Sequence, residues 1–122
     1  MKEVDNEDDL MNILRATERV LVLFYASWCP FCRGFLPIFK EYARKNRRDE
    51  FLCVKIDDEN NPLWEKYDVE VVPTIVLFEG ERVQRRLDGV LGVGLTKDQF
   101  KDFLTGSNKA DQTESLGRSN LT

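Results

Sequence analysis

Trp28-Cys29-Pro30-Phe31-Cys32 separates an uncharged run at residues 20–26 from a segment with helical periodicity at residues 31–46. The uncharged run is apolar, which predicts a strand buried on both faces, as in a parallel sheet. The two cysteines then lie at the junction of a strand and a helix, one helical turn apart. A helix N-terminus offers unpaired backbone N–H groups and the positive end of the helix dipole, and both favour an anion. We therefore expect Cys29 to act as a thiolate, the reactive form of cysteine.

Two thiols at this spacing are suited to thiol-disulfide exchange. Cys29 would attack a disulfide as the nucleophile, and Cys32, one turn inside the helix, would resolve the mixed disulfide. Trp28, Pro30 and Phe31 adjoin the pair and are candidates for contact with a substrate, although Trp28 can equally be an ordinary packing residue. The other interpretation of the pair is half of a metal site or a chance spacing, and the chain has no second such pair.

The composition argues against several classes of function. The chain has 122 residues, of which 42% are hydrophobic and 33% charged, as is typical of one globular domain. Its net charge of -4 disfavours binding to nucleic acid. Because the sequence has no histidine, it can hold neither a histidine-activated nucleophile nor a histidine metal ligand. Three cysteines do not complete a structural zinc site, so we expect no metal and no other cofactor.

No segment predicts a membrane or secretory location. The N-terminus, Met1-Lys-Glu-Val-Asp-Asn-Glu-Asp-Asp9, is acidic and unlike a signal peptide. No apolar run is long enough to span a bilayer. We therefore expect a cytoplasmic protein, in which a closely spaced cysteine pair serves redox chemistry rather than a structural disulfide.

The predicted elements follow the order α-β-α-β-α-β-β-α. We expect strands at residues 20–26, 51–56, 74–78 and 82–87, and helices that begin after Asp5 or Asn6, at Pro30, at Pro62 with Asn61 as its N-cap, and at the capping box Thr96-Lys-Asp-Gln99. This order predicts an α/β fold with a central mixed β-sheet flanked by helices on both faces. We assign residues 1–105 to the folded domain and the polar, aperiodic residues 106–122 to a disordered tail.

Three features outside the cysteine pair bear on the site. Pro73, in Val72-Pro73-Thr74, can be the ordinary first residue of a strand or can follow a cis peptide bond, and spacing alone does not decide. Cys53 lies in a predicted buried strand, where burial raises the pKa of a thiol and makes it inert. The stretch Gly89-Val-Leu-Gly-Val-Gly94 lacks the lysine of a phosphate-binding loop, and we interpret it as a loop or bulge.

Several motifs together resemble the thioredoxin family. They are Phe24-Tyr-Ala-Ser-Trp-Cys-Pro-Phe-Cys32, Pro37, Lys66-Tyr67, Val72-Pro73-Thr74 and the hairpin Phe78-Glu-Gly-Glu81, in the family's order over residues 7–104. The resemblance implies a thioredoxin fold with a cis bond at Val72-Pro73 beside the cysteines. It also implies a substrate groove in which the backbone of Val72 pairs with a peptide, Pro73 and Thr74 belong to the substrate-binding residues, and Gly89 marks the far wall.

The sequence departs from the family's pattern around the cysteines. The family usually holds a buried carboxylate six residues before the first cysteine as a proton acceptor for the second thiol, and Leu23 occupies that position here. The dipeptide between the cysteines is Pro-Phe, which is closer to glutaredoxins, whose reduction potentials are less reducing. Lys55 could stand where the family keeps a lysine near the site, and a lysine close to Cys32 would favour its thiolate.

These features predict a thiol-disulfide oxidoreductase that reduces or exchanges disulfides in protein substrates. We expect a monomer whose cysteine pair is reduced again by a thioredoxin reductase or a low-molecular-weight thiol. Two alternatives stay open. One is a redox-inactive module that binds a partner through the thioredoxin fold, and the other is a dimeric iron–sulfur carrier with thiolates from two chains. The motif leaves the reduction potential, and with it the direction of exchange, undetermined.

Overall fold

The computed structural model describes residues 1–46 and 48–105, over which five strands and four helices alternate. They are β1 (Glu3–Val4), α1 (Glu7–Ala16), β2 (Arg19–Tyr25), α2 (Pro30–Lys45), β3 (Glu50–Lys55), α3 (Leu63–Lys66), β4 (Thr74–Glu79), β5 (Arg82–Leu87) and α4 (Lys97–Thr105). All four predicted strands are present, and their bounds agree with the prediction to within one residue. The predicted disordered tail, 106–122, lies outside the described residues.

The strands form one mixed sheet in the order β1-β3-β2-β4-β5, with β2 at its centre. β1 and β2 run parallel to β3, whereas β4 runs antiparallel to β2 and β5 antiparallel to β4. The predicted central mixed sheet is therefore confirmed. The sequence did not predict β1, because two residues are too few to show a hydrophobic pattern. β1 forms where Glu3 and Val4 pair with Cys53 and Val54 along β3.

Aromatic side chains join the helices to both faces of the sheet. On one face, Phe100 of α4 lies 5.7 Å, centroid to centroid, from Phe39 of α2, and Phe39 lies 5.2 Å from Phe51 of β3. On the other face, Tyr67 follows α3, and its ring packs 5.8 Å from the ring of Phe24 in β2. The Tyr67 hydroxyl also reaches the sulfur of Met11 in α1, at 3.5 Å. Helices therefore cover both faces, and β2 is buried between them.

The helix ends follow from local hydrogen bonds that the sequence largely predicts. Asn6 is the N-cap of α1, because its side-chain oxygen accepts from the backbone N–H of Asp9 at 2.9 Å. Thr96 and Gln99 form the predicted capping box, each side chain accepting from the other residue's backbone N–H. α3 begins one residue later than predicted, at Leu63, although Asn61 still accepts from the Leu63 N–H at 3.0 Å. Among the described residues, no helix is both long and apolar enough to cross a bilayer.

Candidate active site

The pairing of β2 with β4 brings the cysteine loop and Pro73 to one edge of the sheet. The two strands are antiparallel, and Phe24 near the end of β2 lies opposite Thr74 at the start of β4. The loop that leaves β2 therefore meets the turn that enters β4. The peptide bond between Val72 and Pro73 is cis, as the resemblance implied. The Sγ of Cys29 lies 3.7 Å from the carbonyl oxygen of Val72, within hydrogen-bonding distance for a thiol.

Cys29 is the N-cap residue of α2, and Pro30 occupies the first helical turn. The backbone carbonyl of Cys29 accepts from the N–H groups of Cys32 and Arg33, both at 3.1 Å, so the main chain alone starts the helix. The Cys29 side chain takes no part in capping and faces Val72 instead. Cys29 is 7% exposed, against 1% for Cys32. The first cysteine is therefore held at a helix N-terminus and within reach of a disulfide.

Cys32 lies behind Cys29 and is 1% exposed. The pKa of the Cys32 thiol is raised to about 12, above all by burial and also by the neighbouring Cys29 and Asp57. A hydrogen bond that the Ala26 N–H donates to the sulfur at 3.5 Å acts in the opposite direction. Cys32 is therefore a neutral thiol at neutral pH in the reduced pair. Both cysteines are free thiols, so the structure holds the dithiol form of the site.

Leu23 is completely buried in β2, between Cys53 of β3 and Ile75 of β4. The position at which the family keeps a carboxylate is thus part of the apolar core. Cys53 is also buried, and burial raises the pKa of its thiol to about 11, in line with an inert cysteine. Within residues 1–46 and 48–105, no cluster of three or more potential ligands is arranged to hold a metal ion.

Asp57 is the carboxylate that the structure brings to the cysteine loop. Its two side-chain oxygens accept from the backbone N–H of Ser27 at 2.7 Å and from the Ser27 hydroxyl at 2.5 Å. Partial burial works to raise the pKa of Asp57, but these bonds outweigh it and the pKa is lowered. Sequence reasoning missed this residue. The available signal was its place just after β3, because the ends of parallel strands β2 and β3 meet at the same edge of the sheet.

Two further residues act on Asp57, Trp28 through a hydrogen bond and Lys55 through its charge. The indole N–H of Trp28 donates to the Asp57 carbonyl at 3.0 Å, which fixes a ring that is 55% exposed beside Cys29. Lys55, at the end of β3, acts on the Asp57 carboxylate and helps to lower its pKa.

Thr74 and Gly89 support the Val72-Pro73 turn from behind. Thr74 is fully buried, and its hydroxyl donates to the Val71 carbonyl at 2.6 Å and accepts from the Gly89 N–H at 3.2 Å. A Cβ atom placed on Gly89 would lie 2.3 Å from the Pro73 carbonyl oxygen. Only glycine fits against the turn at this position. Gly89 therefore packs directly on the backbone of Pro73.

The family model for thioredoxin matches residues 2–106 of the chain. The chain belongs to the thioredoxin family. Thioredoxin of Mycoplasmoides gallisepticum is 30% identical to it over 105 residues, which cover 85% of this chain and 99% of that protein. A bifunctional thioredoxin reductase/thioredoxin of Mycobacterium leprae is 28% identical over 107 residues, or 87% of this chain and 23% of that protein. The crystal structure of Chlamydomonas reinhardtii thioredoxin f2 shares the fold, with a TM-score of 0.74 at 18% identity, over 88% of this chain and 96% of that one.

Family membership confirms two predictions made from the sequence. The fold is the thioredoxin fold, and the protein is a thiol-disulfide oxidoreductase. None of the comparisons favours the alternative of a redox-inactive binding module. What individual residues do in the exchange, and on which substrates, is argued below.

Proposed function

We propose that this thioredoxin-family protein reduces disulfides in protein substrates, with Cys29 as the nucleophile and Cys32 as the resolving thiol. The observation that carries the proposal is the position of the Cys29 sulfur, at the N-terminus of α2 and 3.7 Å from the carbonyl of Val72. A thiolate there is stabilised by the helix end and lies beside an edge at which an extended peptide can bind. The same geometry supports the reverse reaction, oxidation of a dithiol, when the pair starts as a disulfide.

The exchange has two balanced steps. The Cys29 thiolate attacks one sulfur of the substrate disulfide, forms a mixed disulfide and releases the other substrate sulfur as a thiolate, which takes up a proton. Cys32 then loses its proton, and its thiolate attacks the Cys29 sulfur and breaks the mixed disulfide. The second substrate sulfur leaves as a thiolate, which takes up a proton. Two electrons pass from the protein to the substrate, and the pair is left as a Cys29–Cys32 disulfide.

The pKa of Cys32 links the two steps. In the reduced pair, burial raises this pKa most, and the adjacent Cys29 raises it further through its charge and a hydrogen bond. When Cys29 is held in a mixed disulfide it carries no charge, so its contribution is removed and the pKa of Cys32 falls. Cys32 therefore becomes a better nucleophile only once there is a mixed disulfide to resolve.

The substrate would bind along the turn that faces Cys29. We propose that the backbone of Val72 pairs with an extended substrate segment, while the exposed faces of Trp28, Pro30 and Phe31 contact its side chains. Thr74 and Gly89 contribute by holding Pro73 in place, since the Thr74 hydroxyl is occupied by internal hydrogen bonds. Lys55 tunes the site through Asp57.

The oxidised pair must be reduced again for turnover. We propose that a thioredoxin reductase or a low-molecular-weight thiol supplies the electrons to a monomeric, cytoplasmic protein. The Mycobacterium leprae relative, named as a bifunctional thioredoxin reductase/thioredoxin, supports the first of these donors. To test this donor directly, the purified disulfide form is mixed with NADPH and a bacterial thioredoxin reductase, and its reduction is measured as the loss of NADPH absorbance.

Trapping with single-cysteine variants tests the assignment of roles. Cys32→Ser should form a stable mixed disulfide with a substrate, because Cys29 can attack but nothing resolves the product, whereas Cys29→Ser should form none. With dithiothreitol as donor, Cys29→Ser should also fail to accelerate the reduction of insulin. Equal insulin reduction by wild type and Cys29→Ser would refute the proposal and would favour the redox-inactive module.

A further inference from the structure

Exposed apolar side chains are concentrated at the cysteine edge of the molecule. Seven large hydrophobic residues are exposed among those described, and five of them flank this edge. The five are Trp28, Phe31, Val90, Leu91 and Val93. Of the other two, Val83 lies in β5 opposite Phe78, and Met1 precedes β1. Single exposed apolar residues need no explanation, but a cluster of this kind is typical of an interaction surface.

Three members of the cluster come from residues 90–94, which we name the 90–94 turn. The turn closes on itself, since the N–H groups of Val90 and Gly94 each donate to the other's carbonyl, at 3.1 and 2.7 Å. Gly92 and Gly94 have φ values of 78° and 81°, the left-handed conformation that glycine adopts without steric cost. The turn therefore projects Leu91, which is 83% exposed, from a backbone closed by these hydrogen bonds.

Both ends of the 90–94 turn are fixed to the exchange site. At one end, Gly89 packs on the carbonyl of Pro73 without room for a Cβ atom. At the other end, a Cβ atom on Gly94 would lie 2.8 Å from the Cβ of Phe31, so the turn also packs closely on one of the two residues between the cysteines. The 90–94 turn is thus held between the two segments of the proposed substrate site, which are the Val72-Pro73 turn and the start of α2.

We propose that the 90–94 turn, together with Phe31 and Trp28, selects substrate polypeptides that carry a large aliphatic or aromatic side chain next to the reacting disulfide. This inference rests on the proposed function, because its occupant is the substrate of Cys29. The surface is continuous with that site and has no charged residue between 89 and 94. A flanking leucine would be removed from water against Leu91 and Phe31, whereas a flanking serine would gain nothing from burial.

The test compares two homodimeric peptides, each joined by a single disulfide and identical except for leucine or serine beside the cysteine. The symmetry of the peptides ensures that either sulfur has the same neighbours. Fully reduced protein is mixed with each peptide, the reaction is quenched with acid, and the oxidised protein is measured by mass. For wild type, we expect the second-order rate constant for the leucine peptide to exceed that for the serine peptide by about tenfold, equal to about 1.4 kcal/mol.

Leu91→Ser should reduce this preference to about threefold or less, since one of its main apolar contacts is lost. The ratio of the two rates cancels any general change in reactivity. Val83→Ser is the matched control, because Val83 is an exposed apolar residue of β5 that pairs with Phe78, near the opposite end of β4 from Pro73. It should keep the full preference.

Each of the other outcomes overturns the inference in a distinguishable way. If wild type reduces both peptides at the same rate, or if Leu91→Ser retains the full preference, the surface does not select substrates. If Leu91→Ser instead abolishes a concentration-dependent dimer seen by analytical ultracentrifugation and keeps the preference, the surface is an interface between copies of this chain. If wild type reduces neither peptide nor insulin, the proposed function fails, and the inference fails with it.

Discussion

Replacing Gly89 by alanine introduces one methyl group at the most crowded point of the site. The new Cβ would lie 2.3 Å from the Pro73 carbonyl oxygen, more than about 1 Å inside an ordinary contact of roughly 3.5 Å. The obstacle is backbone at the start of β4, so no side-chain rotation can relieve it. The Gly89 N–H is also bonded to Thr74, which holds the two segments together. Forced overpacking of this kind costs about 1–3 kcal/mol, and we expect Gly89→Ala to lose that much free energy of unfolding.

Gly34→Ala is the matched control for this substitution. Gly34 lies within α2, and a Cβ atom there would meet nothing within 4 Å. Because alanine favours the helix over glycine, Gly34→Ala should gain about 0.5–1 kcal/mol. Urea denaturation of the reduced proteins, followed by tryptophan fluorescence, gives both values. Gly89→Ala should in addition slow the reaction with a peptide disulfide, since the Val72-Pro73 turn must move to accommodate the methyl group.

The reasoning is refuted if Gly89→Ala unfolds at the same urea concentration as wild type. It is also refuted if Gly34→Ala loses as much stability as Gly89→Ala, because glycine would then matter for reasons other than the close approach to Pro73. Normal stability combined with a lower rate of disulfide reduction would show that the turn adjusts cheaply but no longer positions a substrate.

Three further predictions follow from the titratable groups and the helix caps. Asp57→Asn should lower the pKa of Cys32, because the Asp57 carboxylate raises it. The pKa is measured in a Cys29→Ser background from the rate at which Cys32 is alkylated at different pH values, and an unchanged pH profile would contradict the prediction. The reduced protein should lose stability as pH rises from about 8.5 to about 11, since the unfolded thiols ionise there while the folded Cys32 and Cys53 thiols, whose pKa values burial raises, stay neutral. Urea titrations at several pH values give the slope of unfolding free energy against pH. Cys53→Ala should make this slope less steep by about 1.4 kcal/mol per pH unit, and an identical slope would count against burial as the cause. Thr96→Ala should cost about 1 kcal/mol through loss of the capping box, and a midpoint of thermal unfolding that does not fall would show that α4 is held by packing alone.

The fold was predictable from the sequence because most of its elements carry local signals. The uncharged run around Leu23 marks a strand buried on both faces, and the N-caps Asn6 and Thr96 mark helix starts through side-chain bonds to the backbone. β1 carries no such signal. Its two residues, Glu3–Val4, form a strand only because β3 offers them a free edge, and that edge is created by the rest of the sheet.

The candidate site was predictable as far as it lies in contiguous sequence or in a family motif. The cysteine pair is read directly, and the cis bond before Pro73 follows from the resemblance, since spacing alone left it open. Asp57 was not predicted as a site residue because its partner Ser27 is 30 residues away in the sequence. Only the parallel pairing of β2 and β3 brings together the loops that follow these strands. The contact of Gly94 with Phe31 was not predicted for a similar reason, because the length of a loop does not show where the loop runs in the folded protein.

The apolar environment of Leu23 changes how the second thiol can lose its proton. Leu23 is fully buried between Cys53 and Ile75, so the position at which the family keeps a carboxylate offers Cys32 no proton acceptor. The carboxylate that acts on the pKa of Cys32 is instead Asp57, which Ser27 fixes on the loop side. Because a pKa of about 12 keeps Cys32 neutral in the reduced pair, we expect Cys32 to become reactive only after Cys29 has formed a mixed disulfide. The choice between substrates is then made in the attack by Cys29, and this is the step on which we expect the proposed apolar surface to act.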